Sequence, residues 1–254
     1  MKRLLEIEWL KIASYRTFYV FAGLYVLLIF LVYYGFDKLL HLGPIDLSIV
    51  YKFPDVWYYI AYVSSWFAPV LALLMINLVS NEFTFRTLRQ QVIDGLSRRE
   101  ILISKLLLAG LLSVGAGVVA LLSGLLIGFF KGGMPTGDGL YAEMGYLLRT
   151  IWVCFGMMTA AILVSLLVRR AALSILVFLA MFWIIEPIIG RAWLTDMYPY
   201  FPLNSLDEFI TSPIQLESIN FGKKPTPMGV NIAGILYPLL FIAVSLRIIE
   251  RKDL

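Results

Sequence analysis

Between Asn81 and Lys105 the chain gathers side chains suited to recognising another macromolecule. Glu82, Arg86 and Arg89 recur at i, i+4 and i+7, the spacing of one helical face, with Glu82 placed to pair with Arg86. Thr87 and Gln90 lie in the same stretch, while Phe85, Leu88 and Val92 fall on a second, apolar face. Asp94-Gly95 reads as a helix stop, because glycine enters the left-handed cap conformation freely. Ser97-Arg98-Arg99-Glu100 then has the form of a capping box, in which Ser97 covers an orphan amide and Glu100 reaches back to the amide of Ser97. The chemistry on offer is charge and hydrogen bonding on a rigid protrusion, which suits docking and the transmission of force. Basic residues in such a loop could serve membrane orientation alone, but a doubly capped helix-turn-helix exceeds that need.

Groups able to make or break bonds are almost absent. His41 is the only histidine and Cys154 the only cysteine, so neither a His/Cys zinc site nor a Cys/His nucleophilic pair can be assembled. Gly222-Lys223-Lys224 lacks the upstream glycine and the hydroxyl residue of a phosphate-binding loop, and Gly132 to Gly137 lacks its lysine. The expectation is therefore no catalytic residue, no metal and no cofactor. Glu186 is the one acid inside an apolar block; it stands directly before Pro187 and five residues from Arg191. Two readings remain open for it, an interface-level ion pair or solvated residue, and an outer gate together with Pro187. Asn77 and Asn231 are expected to bond between helices, and Pro69, Pro187 and Pro238 to kink them.

The elements that must carry these residues follow from composition. The 254 residues are 60% hydrophobic and 15% charged, with a mean hydropathy of +0.84. A soluble domain carries about 45–50% apolar and about 25% charged residues, so an ordinary soluble enzyme, a disordered tail and a disulfide scaffold are all excluded. Six blocks reach the roughly 20 apolar residues that a bilayer-crossing helix needs. They run over Phe18 to Phe36, Val56 to Val79, Leu106 to Phe130, Ile151 to Val168, Ala171 to Gly190 and Met228 to Leu246, the fourth beginning nearer Tyr146. Arg169 and Arg170 alone separate the fourth from the fifth, which makes those two a tight hairpin. The first block exceeds the length of a signal-peptide core and is expected to stay in the mature protein. The fold class is all-α: a polytopic membrane bundle of six transmembrane helices. Small residues at Ala109, Ser113 and Gly117, and at Gly124 and Gly128, let a neighbouring helix approach the third span closely, within the subunit.

With both termini inside, 14 of the 21 Lys and Arg residues fall on the inner side. That bias sets cytoplasmic N- and C-termini, and it explains the sequence pI near 9.1 without a nucleic-acid partner. The chain then reads as a single transmembrane domain over 1–254, multi-pass in the cell membrane, the bacterial inner membrane. Residues 1–17 carry Leu5, Trp9 and Ile12 at helical spacing and read as a cytoplasmic interfacial helix. Residues 81–105 form the cytoplasmic helix-turn described above. Residues 191–227, rich in proline and aromatics, read as a structured extracytoplasmic cap, with a short helix near Leu206 to Ile210.

At these residues the chain resembles the permease subunits of type 2 ABC transporters. The resemblance is carried by Asn81-Glu82-Phe83-Thr84-Phe85-Arg86-Thr87-Leu88-Arg89-Gln90, then Gly95-Leu96-Ser97-Arg98 and Lys105, and by Glu8, Lys11, Arg16 and Thr17 before the first span. It departs from the family pattern at Arg86, where glycine is frequent, and at Gly95-Leu96, where a proline-containing turn is usual. The resemblance implies an ATP-driven exporter in which a separate ABC ATPase subunit hydrolyses ATP. A second permease copy, or a related permease, would complete the pathway across the lipid bilayer. It further implies that Glu82, Arg86, Thr87, Arg89, Gln90, Gly95, Ser97, Arg98 and Arg99 form the ATPase-coupling interface, and that 191–227 acts as the external gate. An ion-gradient-driven secondary transporter and a non-transporting membrane scaffold are the rival readings; the first normally needs intramembrane acids and internal repeats, where this sequence has one marginal acid and no clear repeat.

Overall fold

The computed structural model describes residues 8–9, 11–13, 15–35, 50–133, 140–194, 196–215, 220–221 and 226–251. Leu5, His41, Lys223 and Lys224 lie outside the described residues. Among the described residues, six helices are long and apolar enough to cross a membrane, with mean hydropathies of 1.8 to 2.4. The first is α1 (Arg16–Tyr34). The second is built from α2 (Val56–Trp66) and α3 (Ala68–Thr84), which meet at Phe67. Pro69 lies in the first turn of α3, directly after the break at Phe67, so the second span is interrupted where the proline was expected to kink it. After the short α4 (Thr87–Ile93), α5 (Arg98–Ile127) forms the third span and continues through a π-helical turn over Gly128–Gly132. α6 (Gly145–Val168) is the fourth. The fifth runs from α7 (Ala171–Ala180) through a π-helical turn (Met181–Ile185) into α8 (Glu186–Trp193), with Pro187 in the first turn of α8. After α9 (Asn204–Asp207), α10 (Met228–Arg251) is the sixth and holds Pro238 within it. A two-residue antiparallel ladder pairs Ile214–Gln215 with Asn220–Phe221.

The bundle is organised around α6, which packs against α2, α3, α5 and α10. Two-thirds of its most apolar window is buried, against 17% for α1 and for the fifth span, so those two helices form the periphery. The small residues of α5 supply the close approach expected of them. A Cβ on Gly117 would lie 2.5 Å from the Ile151 side chain, and one on Gly124 would lie 3.0 Å from Trp57, so this stripe is consumed by packing inside the chain. The Asn residues behave otherwise than expected. Asn77 donates to the carbonyl of Leu73 in its own helix, and Asn231 to that of Thr226 just before α10, so neither of these bonds joins two spans.

Arg169 and Arg170 do form a tight hairpin, with Arg169 in the left-handed conformation at φ 60° and its guanidinium 5.5 Å from the Phe83 ring. The described parts of both termini lie at one end of the bundle, where Glu8 meets Lys105 and Ile249 meets Arg98. At the opposite end, residues 198–213 pack onto the bundle. Tyr58 donates to the Thr211 carbonyl at 2.7 Å, Tyr62 to Ser212 Oγ at 3.1 Å, and Arg149 to the Phe209 carbonyl at 3.1 Å. The short helix there is α9, and Leu206 and Ile210 are fully buried.

Candidate coupling site

The helix of the second span ends at Thr84, and the break after it shapes the site. Arg86 takes φ 55°, the left-handed region, so α3 and α4 are separate helices that meet at an angle. The continuous face of Glu82, Arg86 and Arg89 expected from spacing is thereby divided. Arg86 is exposed at the turn, Arg89 lies in α4, and Glu82 turns inward. Its partner is Lys105 of α5, Nζ to Oε1 2.5 Å, with Lys11 at 3.4 Å; the expected pairing with Arg86 is not made. A left-handed residue redirects the chain, which is why spacing alone misplaced this bond.

Glu8 was not among the expected interface residues, yet it completes the cluster. Lys105 Nζ donates to its Oε2 at 2.7 Å, Ser104 Oγ to its Oε1 at 3.3 Å, and Lys11 Nζ lies 3.2 Å from Oε1. The Lys105 and Glu8 side chains are only 4% and 6% exposed. Two ammonium groups and two carboxylates therefore join the N-terminal helix, the end of α3 and the first turns of α5, around a cleft of about 280 Å³ bordered by Tyr15, Asn81 and Phe85. Burial works to raise the Glu8 carboxyl, but Lys105 and then Lys11 outweigh it and hold it below its ordinary value. Burial likewise works to lower Lys11, and Glu82 and Glu8 outweigh it and hold it above. The signal in the sequence was Lys105 itself: a lysine in the apolar run from Ile101 to Leu108 needs a counter-charge.

The turn between α4 and α5 has the caps expected of it. Gly95 stands at φ 96°, and the capping box is complete: Ser97 Oγ accepts from the Glu100 amide, and Glu100 accepts from that of Ser97 at 2.8 Å. Thr87 donates to the Glu82 carbonyl and Gln90 to Asp94, so both are engaged locally. α4 buries Leu88 but leaves Phe85, before it, and Ile93 about 70% exposed. Arg98 and Arg99 do not stand beside Arg86. Arg98 donates to the carbonyls of Ile249 and Glu250 at the end of α10, and Arg99 pairs with the Glu250 carboxylate. Lone carbonyls at a helix end are natural acceptors for a guanidinium, a use of arginine that a local motif does not reveal.

Over residues 4–185 the sequence matches the family model of the ABC-2 family transporter protein. The chain belongs to the ABC-2 transporter family. The match takes in Glu8, Lys11, Glu82 and Lys105 as well as the α4–α5 turn, the first four spans and the fifth as far as Ile185, so the charge cluster lies wholly within the family region. No curated protein matches the chain. As a family member with six membrane-crossing helices, this ABC-2 protein is a multi-pass transport permease.

Beyond the matched region the transporter continues into α8, α9 and α10. Glu186, at the start of α8, is 5% exposed and so is not the solvated interfacial group that one sequence reading allowed. Its carboxylate accepts from the Leu203 amide at 3.0 and 3.1 Å and from the Asn204 amide at 2.8 Å. Pro187 follows in the same turn, where it removes one amide that a helix start leaves unpaired.

Proposed function

We propose that this ABC-2 transporter is the membrane-spanning subunit of an ATP-driven exporter in the bacterial inner membrane, with both termini cytoplasmic. A separate ABC ATPase docks on the segment from Asn81 to Lys105 and hydrolyses ATP, and a second copy or a related permease completes the pathway. The observation that carries this reading is the α4 protrusion, capped at both ends of its turn, exposing Arg86, Phe85 and Ile93, and rooted by the ion cluster of Glu8, Lys11, Glu82 and Lys105. A helix presented outward while its base is fixed to three elements transfers a push to the bundle instead of absorbing it. Within that interface, Arg86, Thr87, Arg89, Gln90 and Gly95 form the surface that meets the ATPase, while Glu82, Ser97, Arg98 and Arg99 hold it in place. Residues 191–227, with Glu186 and Pro187, serve as the external gate.

The test is purification with the ATPase encoded beside it. Reversing Arg86 and Arg89 to Glu is expected to reduce co-purification and to lower hydrolysis by the complex about tenfold or more, since two attractive contacts become repulsive. Unchanged hydrolysis with an intact complex would refute the docking surface.

A further inference from the structure

We infer that the Glu186 carboxylate is a latch: it holds the re-entrant segment around α9 inside the bundle, and its release is the opening step at the outer end of the transporter. The inference rests on the exporter reading for its functional half, and on geometry for its structural half.

α9 lies deeper than a surface loop. Leu206 contacts α6 at Gly156, where a Cβ would sit 2.7 Å from its side chain, and Gly156 is twelfth of the 24 residues of α6. At 1.5 Å per residue that is about 16 Å below the start of the helix, close to its midpoint. Ser205 is also fully buried, and Phe209 packs against Gly234 of α10. A chain segment entering at that depth brings first-turn amides that neither water nor its own helix can satisfy, a situation tolerated only where protein supplies the acceptors. Here the acceptor is Glu186, which takes the amides of both Leu203 and Asn204. Asn204 then fixes the preceding turn by donating to the Tyr198 carbonyl, and Ser205 donates to that of Pro202.

The carrier of the latch is built to move. Glu186 directly follows the π-helical turn at Met181–Ile185, and such widened turns leave a helix with a local choice of hydrogen-bond partners. Rotation of α8 at this turn withdraws both carboxylate oxygens from α9 together. A carboxylate suits the task better than an amide: its two oxygens accept from two donors, whereas a glutamine presents one acceptor and one amino group that opposes the amides.

Cysteine accessibility in open membrane fragments tests this directly. With Cys154→Ala removing the one native thiol, Ser205→Cys introduces a nearly isosteric thiol within the latched segment, and Ser165→Cys places a control thiol in α6, where Ser165 is fully buried. A membrane-impermeant maleimide is expected to leave both thiols unmodified while Glu186 is present. Adding Glu186→Gln is expected to raise labelling at position 205 about tenfold, the factor carried by losing one charge-assisted hydrogen bond, while position 165 stays protected. Equal labelling at 205 with and without Glu186→Gln overturns the latch. So does labelling that rises at 165 as well, because Glu186 would then support the whole bundle. Co-purification of the ATPase is scored on the same variants; its failure in all of them would count against the exporter reading and leave the accessibility result standing.

Discussion

Arg86 holds a backbone conformation that a side chain makes unfavourable by about 1–2 kcal/mol, and it does so at the point where α3 hands over to α4. A residue kept in that region without being glycine points to a use for its side chain. Glycine would fit the turn without strain, so an arginine here exchanges backbone ease for an exposed guanidinium. Arg86→Gly is therefore expected to raise thermal stability by about 1 kcal/mol while weakening ATPase binding. Thermal unfolding of the purified permease reads the first effect and titration of the complex the second. If both quantities fall, the turn depends on Arg86 for its shape, and the docking role assigned to it fails. Much of this site was legible at the residue scale: the Gly95 turn and the Ser97–Glu100 box follow from local rules and are present as read. The Glu82 pairing was not, because one positive φ at Arg86 changes which residues face each other, and no spacing rule records it.

Where the end of α3 and the first turns of α5 meet Glu8 and Lys11 they form a unit joined by charge, and its ion pairs carry a pH signature. Glu8, held below its ordinary carboxyl value, contributes stability that is present above about pH 5 and is lost as pH falls through its folded value. Lys11, held above its ordinary value, contributes stability that is present below about pH 10 and is lost as pH rises through its folded value. Lys105→Met leaves Glu8 and Glu82 facing each other with only Lys11 between them, and removing one partner of a buried pair costs about 3–5 kcal/mol. The deficit should be largest near pH 7 and should shrink towards pH 4, because Glu8, having lost the stronger of its two cationic partners while staying buried, takes up a proton more readily. Unfolding midpoints of the two proteins between pH 4 and pH 9 check this; a deficit independent of pH would mean that Lys105 acts through packing alone. The elements themselves were almost fully readable, since six apolar blocks of sufficient length have few other ways to satisfy their backbone in a bilayer. Pro69 and Pro187 marked where the second and fifth spans depart from a regular helix, but not the form of the departure, a stop at Phe67 in one and a π-helical turn over Met181–Ile185 in the other.

Across the whole molecule, α5 is tied at the terminal end to three of the elements that gather there. Through Lys105 it holds the N-terminal helix and α3, and through Arg98 and Arg99 it holds the last turn of α10. A displacement of the α4–α5 turn therefore reaches α10 without passing through the packed centre around α6. At the opposite end α10 lies against Phe209, in the segment whose amides Glu186 accepts, so one helix links the end proposed to dock the ATPase with the end proposed as the gate. This is a coupling of two sites by a shared rigid element, and it predicts how the coupling fails. Arg98→Gln loses the charge-assisted contact to the α10 carbonyls but leaves Arg86 and Arg89 in place. The ATPase should still co-purify through Arg86 and Arg89 and hydrolyse ATP, while the rise in labelling of Ser205→Cys that ATP is expected to cause in the parent protein is lost. Arg98→Lys, which keeps a donor for the same carbonyls, should recover part of that response. An intact ATP-dependent response in Arg98→Gln would show that force reaches the gate through α6 and not through α10.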